Sequence, residues 1–196
     1  MANVASPYGL RPVKMLGGRP YSGGSIKQIP MTVNSAVAVY TGDVIQIGAA
    51  SAGQPQAIAA TVTTSSAGVI GVCAGVSYVD PVLKYQVFGQ YLPANAVNAG
   101  YTGIMIHVYD DPDQLFQVQA AGSVAATVLG KFAALENFGG NSKTGLSTIR
   151  LSTPANTATL AVRIVDFVDP GSDYTDCIVK FNAGVHMYQN STVLAN

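Results

Sequence analysis

The sequence predicts an all-β fold, a compact barrel or sandwich, and three observations predict it. Apolar residues spaced i, i+3, i+4 with a charged opposite face are nearly absent. Short runs rich in Val, Ile, Tyr and Thr recur along the chain. Clusters of Gly, Pro, Asn and Asp, residues that favour tight turns, separate those runs.

The first element, residues 1–25, reads as an extended arm. Pro7, Pro12 and Pro20 remove backbone donors and block a helix. The apolar residues Tyr8, Leu10, Val13, Met15 and Leu16 lack the alternation of a core strand. Strands are then expected near 26–31, 36–47, 56–63, 68–79, 84–91, 103–109, 114–119, 124–134, 146–152, 159–168 and 176–188. The turn TGD at 41–43 breaks two apolar runs. YDDPDQ at 109–114 reads as a hairpin turn between IMIHVY and LFQVQ, with Pro112 fixing its geometry. NFGGNSKTG at 137–145 is the longest polar stretch and the best internal boundary. The chain therefore divides into an arm (1–25), a main β domain (26–136) and a C-terminal β segment (137–196) that can complete the same barrel.

Charge follows this division. Residues 1–42 hold Arg11, Lys14, Arg19 and Lys27 and no acid, a balance of +4. The other six cations and all ten acids follow, a balance of −4, and Asp166, Asp169, Asp173 and Asp176 cluster late. Opposite blocks suggest that the arm docks on an acidic partner or on a neighbouring molecule. Only 10% of the 196 residues are charged, against roughly 25% in ordinary domains. Such a surface suits a chain that hides much of itself in an assembly. There is no run of about 18 apolar residues for a membrane span, and no secretory signal is expected from the Pro-broken N-terminus. Cys73 and Cys177 lie in apolar runs and read as two free, buried thiols, consistent with a reducing cytoplasm.

Signals for catalysis are weak. His107 and His186 stand in strand-like runs, and no serine elbow, paired-cysteine motif or HExxH is present. Asp110, Asp111 and Asp113 could ligate a hard cation, but an EF-hand loop starting at Asp110 would need Glu where Ala121 stands. Asp and Pro there serve turn geometry. Arg11, Lys14 and Arg19 beside Tyr8 and Tyr21 form the one patch suited to nucleic acid, and overall neutrality argues against that use. Glycoside hydrolysis normally uses a carboxylate pair, and Glu136 is the single Glu. The expectation is a non-enzymatic protein with no cofactor, no metal, no nucleic acid and no membrane partner.

The opening MANVASPYGLRPVKMLGGRPYSGG, then YTGDVIQIG, VYDDPDQLFQVQAAG, GNSKTGLSTIRL, RIVDFVDPG and DCIVKFNAGVHMY stand in an order that resembles the head decoration, or capsid cement, proteins of tailed bacteriophages. A looser similarity to lambda-type decoration proteins rests on the GDV turn and the strands AGVIGVCAGV and KYQVFGQY. The resemblance implies a β-tulip-like body and a homotrimer on the outer surface of the virion's capsid, made in the host cytoplasm. Its implied partner is the major capsid protein. The arm would then lie along a capsid subunit as an added strand, with Tyr8, Leu10, Arg11, Val13, Lys14 and Arg19 as the capsid-binding residues. Ordering it costs roughly 1–2 kcal/mol per residue, while each buried apolar side chain returns about 1.5–3 kcal/mol. The body would have to fold without it. A tail or connector component, or a carbohydrate-binding virion protein, are the rival readings.

Overall fold

The computed structural model describes residues 4–19, 26–47, 55–57 and 68–190. They are all-β, as expected, with short 3-10 turns at Leu16–Gly18 and Ala126–Val128. The strands begin with β1 (Arg11–Met15), β2 (Ile26–Pro30), β3 (Val39–Tyr40), β4 (Val44–Ile47), β5 (Pro55–Ala57) and β6 (Val69–Val79). There follow β7 (Gln86–Gly89), β8 (Tyr91–Leu92), β9 (Thr102–Tyr109), β10 (Gln114–Gln119) and β11 (Phe132–Ala133). The last are β12 (Leu135–Glu136), β13 (Gly140–Asn141), β14 (Leu146–Ser147), β15 (Arg150–Leu151), β16 (Val162–Phe167) and β17 (Asp176–Phe181). Residues 58–63, predicted as strand, and 1–3 and 20–25 of the predicted arm lie outside the described residues.

Two antiparallel sheets dominate. The first runs β1-β10-β17-β16-β11, and the second β2-β9-β6-β4-β5 with β7 beside the far half of β6. The first sheet joins the N-terminal, central and C-terminal thirds of the chain, so the predicted boundary at 137–145 does not separate two sheets. The predicted hairpin at 109–114 is a crossing instead. β9 pairs with β2 and β6, whereas β10 pairs with β1 and β17. Asp111 shapes this corner, its Oδ1 accepting the Asp113 amide at 2.8 Å.

Two apolar cores result. One lies between the sheets and includes Leu10, Val44, Val72, Phe116, Ile164 and Val179. The other lies on the opposite face of the second sheet, with Ile45, Ile70, Cys73, Ile106 and Leu92. Neighbours Val44 and Ile45 are both fully buried, one in each core. This is why the second sheet reads as continuous apolar runs rather than alternation. In β6, Val69 and Val72 face the first core while Ile70 and Cys73 face the second. A register shift against β4 between Ile45 and Gln46 moves the alternation by one residue, as a bulge does. Gly71 sits there because a Cβ would stand 1.9 Å from the Tyr109 carbonyl oxygen of the neighbouring strand.

The longest predicted runs are shorter as strands. The run 36–47 is interrupted by the turn at 41–43, and 124–134 is mostly 3-10 turn and loop. The run 176–188 ends as strand at Phe181, where the chain turns so that His186 bridges Val69.

Candidate functional site: a basic-rimmed groove beside the N-terminal strand

The segment predicted as a free arm is extended, and it belongs to this chain's own fold. Three features of the sequence place it there. Gly9 adopts φ +76°, a conformation that favours glycine, and a Cβ on it would meet the Ser147 Cβ at 2.6 Å and the Gly42 oxygen at 2.7 Å. That close approach lets the Leu10 amide donate to the Gly42 carbonyl at 3.0 Å and puts Leu10 into the core at 2% exposure. Beyond it, Arg11–Met15 pairs with β10, with a register shift between Pro12 and Lys14 that leaves Val13 unpaired. The described part of the expected arm thus supplies a strand of the first sheet and a core side chain. Alternation was hidden because a bulge, a proline and a positive-φ glycine fall within five residues.

Residues of the N-terminal segment meet acids of this chain. Tyr8 Oη donates to Asp176 Oδ1 at 2.8 Å, and Arg11 lies over the Tyr8 ring at 4.8 Å. Burial, then the Asp176 carboxylate, pushes the Tyr8 phenol well above its ordinary range. Lys14 Nζ meets Asp166 Oδ2 at 2.8 Å. Arg19 and Lys180 share Asp113, at 3.1 Å and 2.8 Å. Hydrogen bonds from Lys180 and Lys14 hold the Asp113 and Asp166 carboxyls below their ordinary pKa. Lys14 and Asp166 are 49% and 52% exposed, so their pair contributes about 0–1 kcal/mol and can be exchanged for another partner.

These residues border a groove on the outer side of the first sheet. Two recesses of about 420 and 390 Å³ share Leu16 and Val165. Lys14 and Arg19 line one, Arg163 and Lys180 the other, and Leu115, Val165 and Phe181 supply apolar walls. Arg163 and Lys180 stand directly opposite each other in the β16–β17 register. Like charges so placed destabilise a sheet unless something offsets them. Asp113 offsets Lys180, while Arg163 stacks on the Phe132 ring at 4.7 Å and has no carboxylate partner among the described residues.

Of the residues predicted to bind, Lys14 and Arg19 line this groove, while Arg11 is exposed over the Tyr8 ring and lines neither recess. Val13 is half-buried at the bulge, Tyr8 is tied to Asp176, and Leu10 is buried. Arg163, Lys180, Val165 and Leu115 were missed. The signal for the two cations was present: in VRIVDF and DCIVKF they occupy the polar positions of alternating strands. Their register was not readable from one chain.

The other titratable groups have structural surroundings. His107 Nε2 lies 3.2 Å from Ser77 Oγ. Asp110 accepts from Tyr188 Oη at 2.9 Å, and Glu136 pairs with Arg150. Cys73 and Cys177 are free and buried, one in each core, and burial pushes both thiols up to about 12. No group of three or more His, Cys, Asp or Glu able to hold a metal occurs among the described residues. Comparison with protein families, with curated proteins and with solved structures finds no match to this chain.

Proposed function

We propose that this chain is a non-enzymatic structural protein of a phage virion that binds the outside of the capsid and stabilises it by bridging major capsid subunits. The observation that carries the site is the opposed Arg163–Lys180 pair lining an apolar-walled groove whose other charged lining residues are Lys14, Arg19 and Asp166. A groove of that kind takes an extended segment with apolar residues and a carboxylate that pairs with Arg163. Lys14 and Arg19 line the adjoining recess and add charge to the same face. The order of sequence segments resembling capsid cement proteins supports a capsid subunit as the owner of that segment. Several copies on one shell, as the trimers implied by the resemblance, would hold by avidity. Binding restricted to the assembled lattice would shift shell stability by mass action.

The test is co-sedimentation with purified undecorated heads. The variant Arg163→Gln with Lys14→Gln should keep the unfolding midpoint within about 1 kcal/mol of the parent, since both side chains are exposed. It should lose about tenfold or more in affinity and show a weaker salt dependence. Undiminished binding by this variant would remove the groove from the interface, and no binding by the parent would remove the capsid reading.

A further inference from the structure

We infer that the turn at 182–190 is an acid-sensitive latch between the two sheets, held shut by a neutral His186 and opened when that ring takes up a proton. The turn leaves β17 after Phe181 and ties the sheets together. On one side the Asn182 amide donates to the Ala161 carbonyl at 3.0 Å, next to β16, and Val185 is buried in the core between the sheets. On the other side the Met187 amide donates to the Val69 carbonyl of β6 at 2.7 Å. Tyr188 adds a polar tie to the second sheet. Lys27 Nζ of β2 donates to Tyr188 Oη at 2.9 Å, and that hydroxyl donates to Asp110 Oδ2 at 2.9 Å.

His186 stands between these ties and is 1% exposed. Its Nδ1 accepts the Tyr188 amide at 3.3 Å, which assigns the proton of the neutral ring to Nε2. Nε2 has no hydrogen-bond partner among the described residues. The rings of Phe181 and Tyr188 flank the imidazole, their centroids 6.4 and 5.3 Å away. A second proton can enter only at Nδ1. It would then point at the Tyr188 N–H, so an accepted hydrogen bond becomes two donors face to face. The imidazolium would also carry two buried donors with no acceptor, a heavier penalty than for a neutral group. Swinging the ring into water removes both conflicts, and it requires the Tyr188 and Met187 ties to let go.

The surrounding charges do not rescue the charged ring. Burial lowers its pKa and outweighs Asp110 and Asp111, at the corner between β9 and β10, which favour the charged form. The Ile70 backbone of β6 also favours it, without reaching hydrogen-bond geometry, while Lys180 of β17 opposes it. Lys27 of β2 is engaged by Tyr188. The closed turn therefore needs the neutral ring, whereas the ring of the open turn titrates at an ordinary value of about 6.5. The latch is fully closed above that value, and the open fraction rises as pH falls below it, by up to about 30-fold at pH 5. The opening is local, because the ladders of both sheets do not pass through this turn and the Val185, Gln189 and Asn190 amides donate within it. Asn182, Ala183 and Gln189 also line the recess that holds Arg163 and Lys180, so acid removes part of that wall. The latch is a property of the free chain and does not rest on the capsid reading.

Amide hydrogen exchange of the isolated full chain, corrected for intrinsic rates and compared at about pH 7.5 and about pH 5, tests it. The Met187 and Gln189 amides should lose protection by about 10- to 30-fold at the lower pH. At about pH 5 they should also be at least about tenfold less protected than the amides of the β10–β17 ladder. In His186→Phe the loss of protection on acidification should vanish. If that variant fails to fold by circular dichroism, the ring of His186 is titrated by NMR in the parent, where it should titrate below about 6.5 and in step with the Met187 amide. A Met187 amide whose protection changes by less than about threefold overturns the inference, as does a loss that persists in folded His186→Phe. Protection equal to that of the β10–β17 ladder at the lower pH would show that the turn opens only with the whole molecule, and a ring titrating at or above about 6.5 would show that it is not held neutral; either result also overturns it.

Discussion

Replacing Asp43 with Asn should stabilise the protein, and the gain should depend on pH. Asp43 lies in the turn between β3 and β4 and is 3% exposed. Its Oδ2 accepts the Tyr40 amide at 2.8 Å, and the Ser147 hydroxyl also binds it. Burial outweighs both contacts and pushes the carboxyl from an ordinary 3.8 to about 7. The turn is nonetheless fixed, because its main chain is tied on all sides. Gly42 donates to the Cys73 carbonyl, Cys73 donates to the Asp43 carbonyl, and Leu10 donates to Gly42. A raised carboxyl means that the folded state binds a proton more tightly than the unfolded state. Stability is then full below the unfolded value and is lost as pH rises through about 7. A shift of about three units corresponds to roughly 4 kcal/mol as an upper bound, and relaxation reduces it to about 2–4 kcal/mol. Asn keeps an acceptor for the Tyr40 amide and carries no charge. Urea unfolding of both proteins at constant ionic strength, from about pH 4 to about pH 8, gives the difference curve, in which all other titrating groups cancel. The difference should grow in favour of Asn by about 2–4 kcal/mol across that window and level off above it. A pH-independent difference would show that Asp43 is solvated or partnered in a way that leaves its carboxyl ordinary.

Leu10→Ala should cost about 2–4 kcal/mol, as large-to-small changes in a packed core do, and lower the melting temperature by roughly 5–15 °C; an unchanged melt would detach the N-terminal segment from the core. His186 is buried with Nε2 unpartnered, and burial lowers its pKa. It stays neutral in the fold, so stability falls as pH drops through its unfolded value of about 6.5. His186→Phe should therefore stabilise the protein more at about pH 5 than at about pH 8, read by denaturant midpoints, and an equal effect at both would contradict the assignment.

Much of the fold was legible because apolar runs and turn residues report strands directly. β6, β9, β10 and β17 lie within two residues of their expected starts. What could not be read was pairing. The DDPD corner has the residues of a hairpin turn, and whether its two strands meet or part depends on partners from both ends of the chain. The double burial of Val44 and Ile45 likewise looks like any apolar run until the second core is known. The site was legible in part: Lys14 and Arg19 could be picked by their lack of nearby acids, whereas Arg163 and Lys180 are more than 140 residues away and join them only through the strand order β1-β10-β17-β16.

The placement of the N-terminal segment constrains how the proposed docking would work. A segment that contributes Leu10 to the core and a strand to the sheet cannot leave to wrap a neighbour without unfolding part of its own body. Moving Leu10 into water alone costs about 1.5–3 kcal/mol, and the β1–β10 hydrogen bonds go with it. Docking on a preformed face avoids that cost. The exposed Lys14–Asp166 pair can open for a carboxylate at about 0–1 kcal/mol, and Arg163 has no ion pair to surrender among the described residues. Recognition through the groove thus predicts a rigid encounter: its affinity should fall with salt, while the N-terminal strand keeps the same hydrogen-exchange protection in the free and bound states. Loss of protection over residues 11–15 on binding would mean that the strand is given up after all, and that the arm mechanism, with its folding cost, is the one in use.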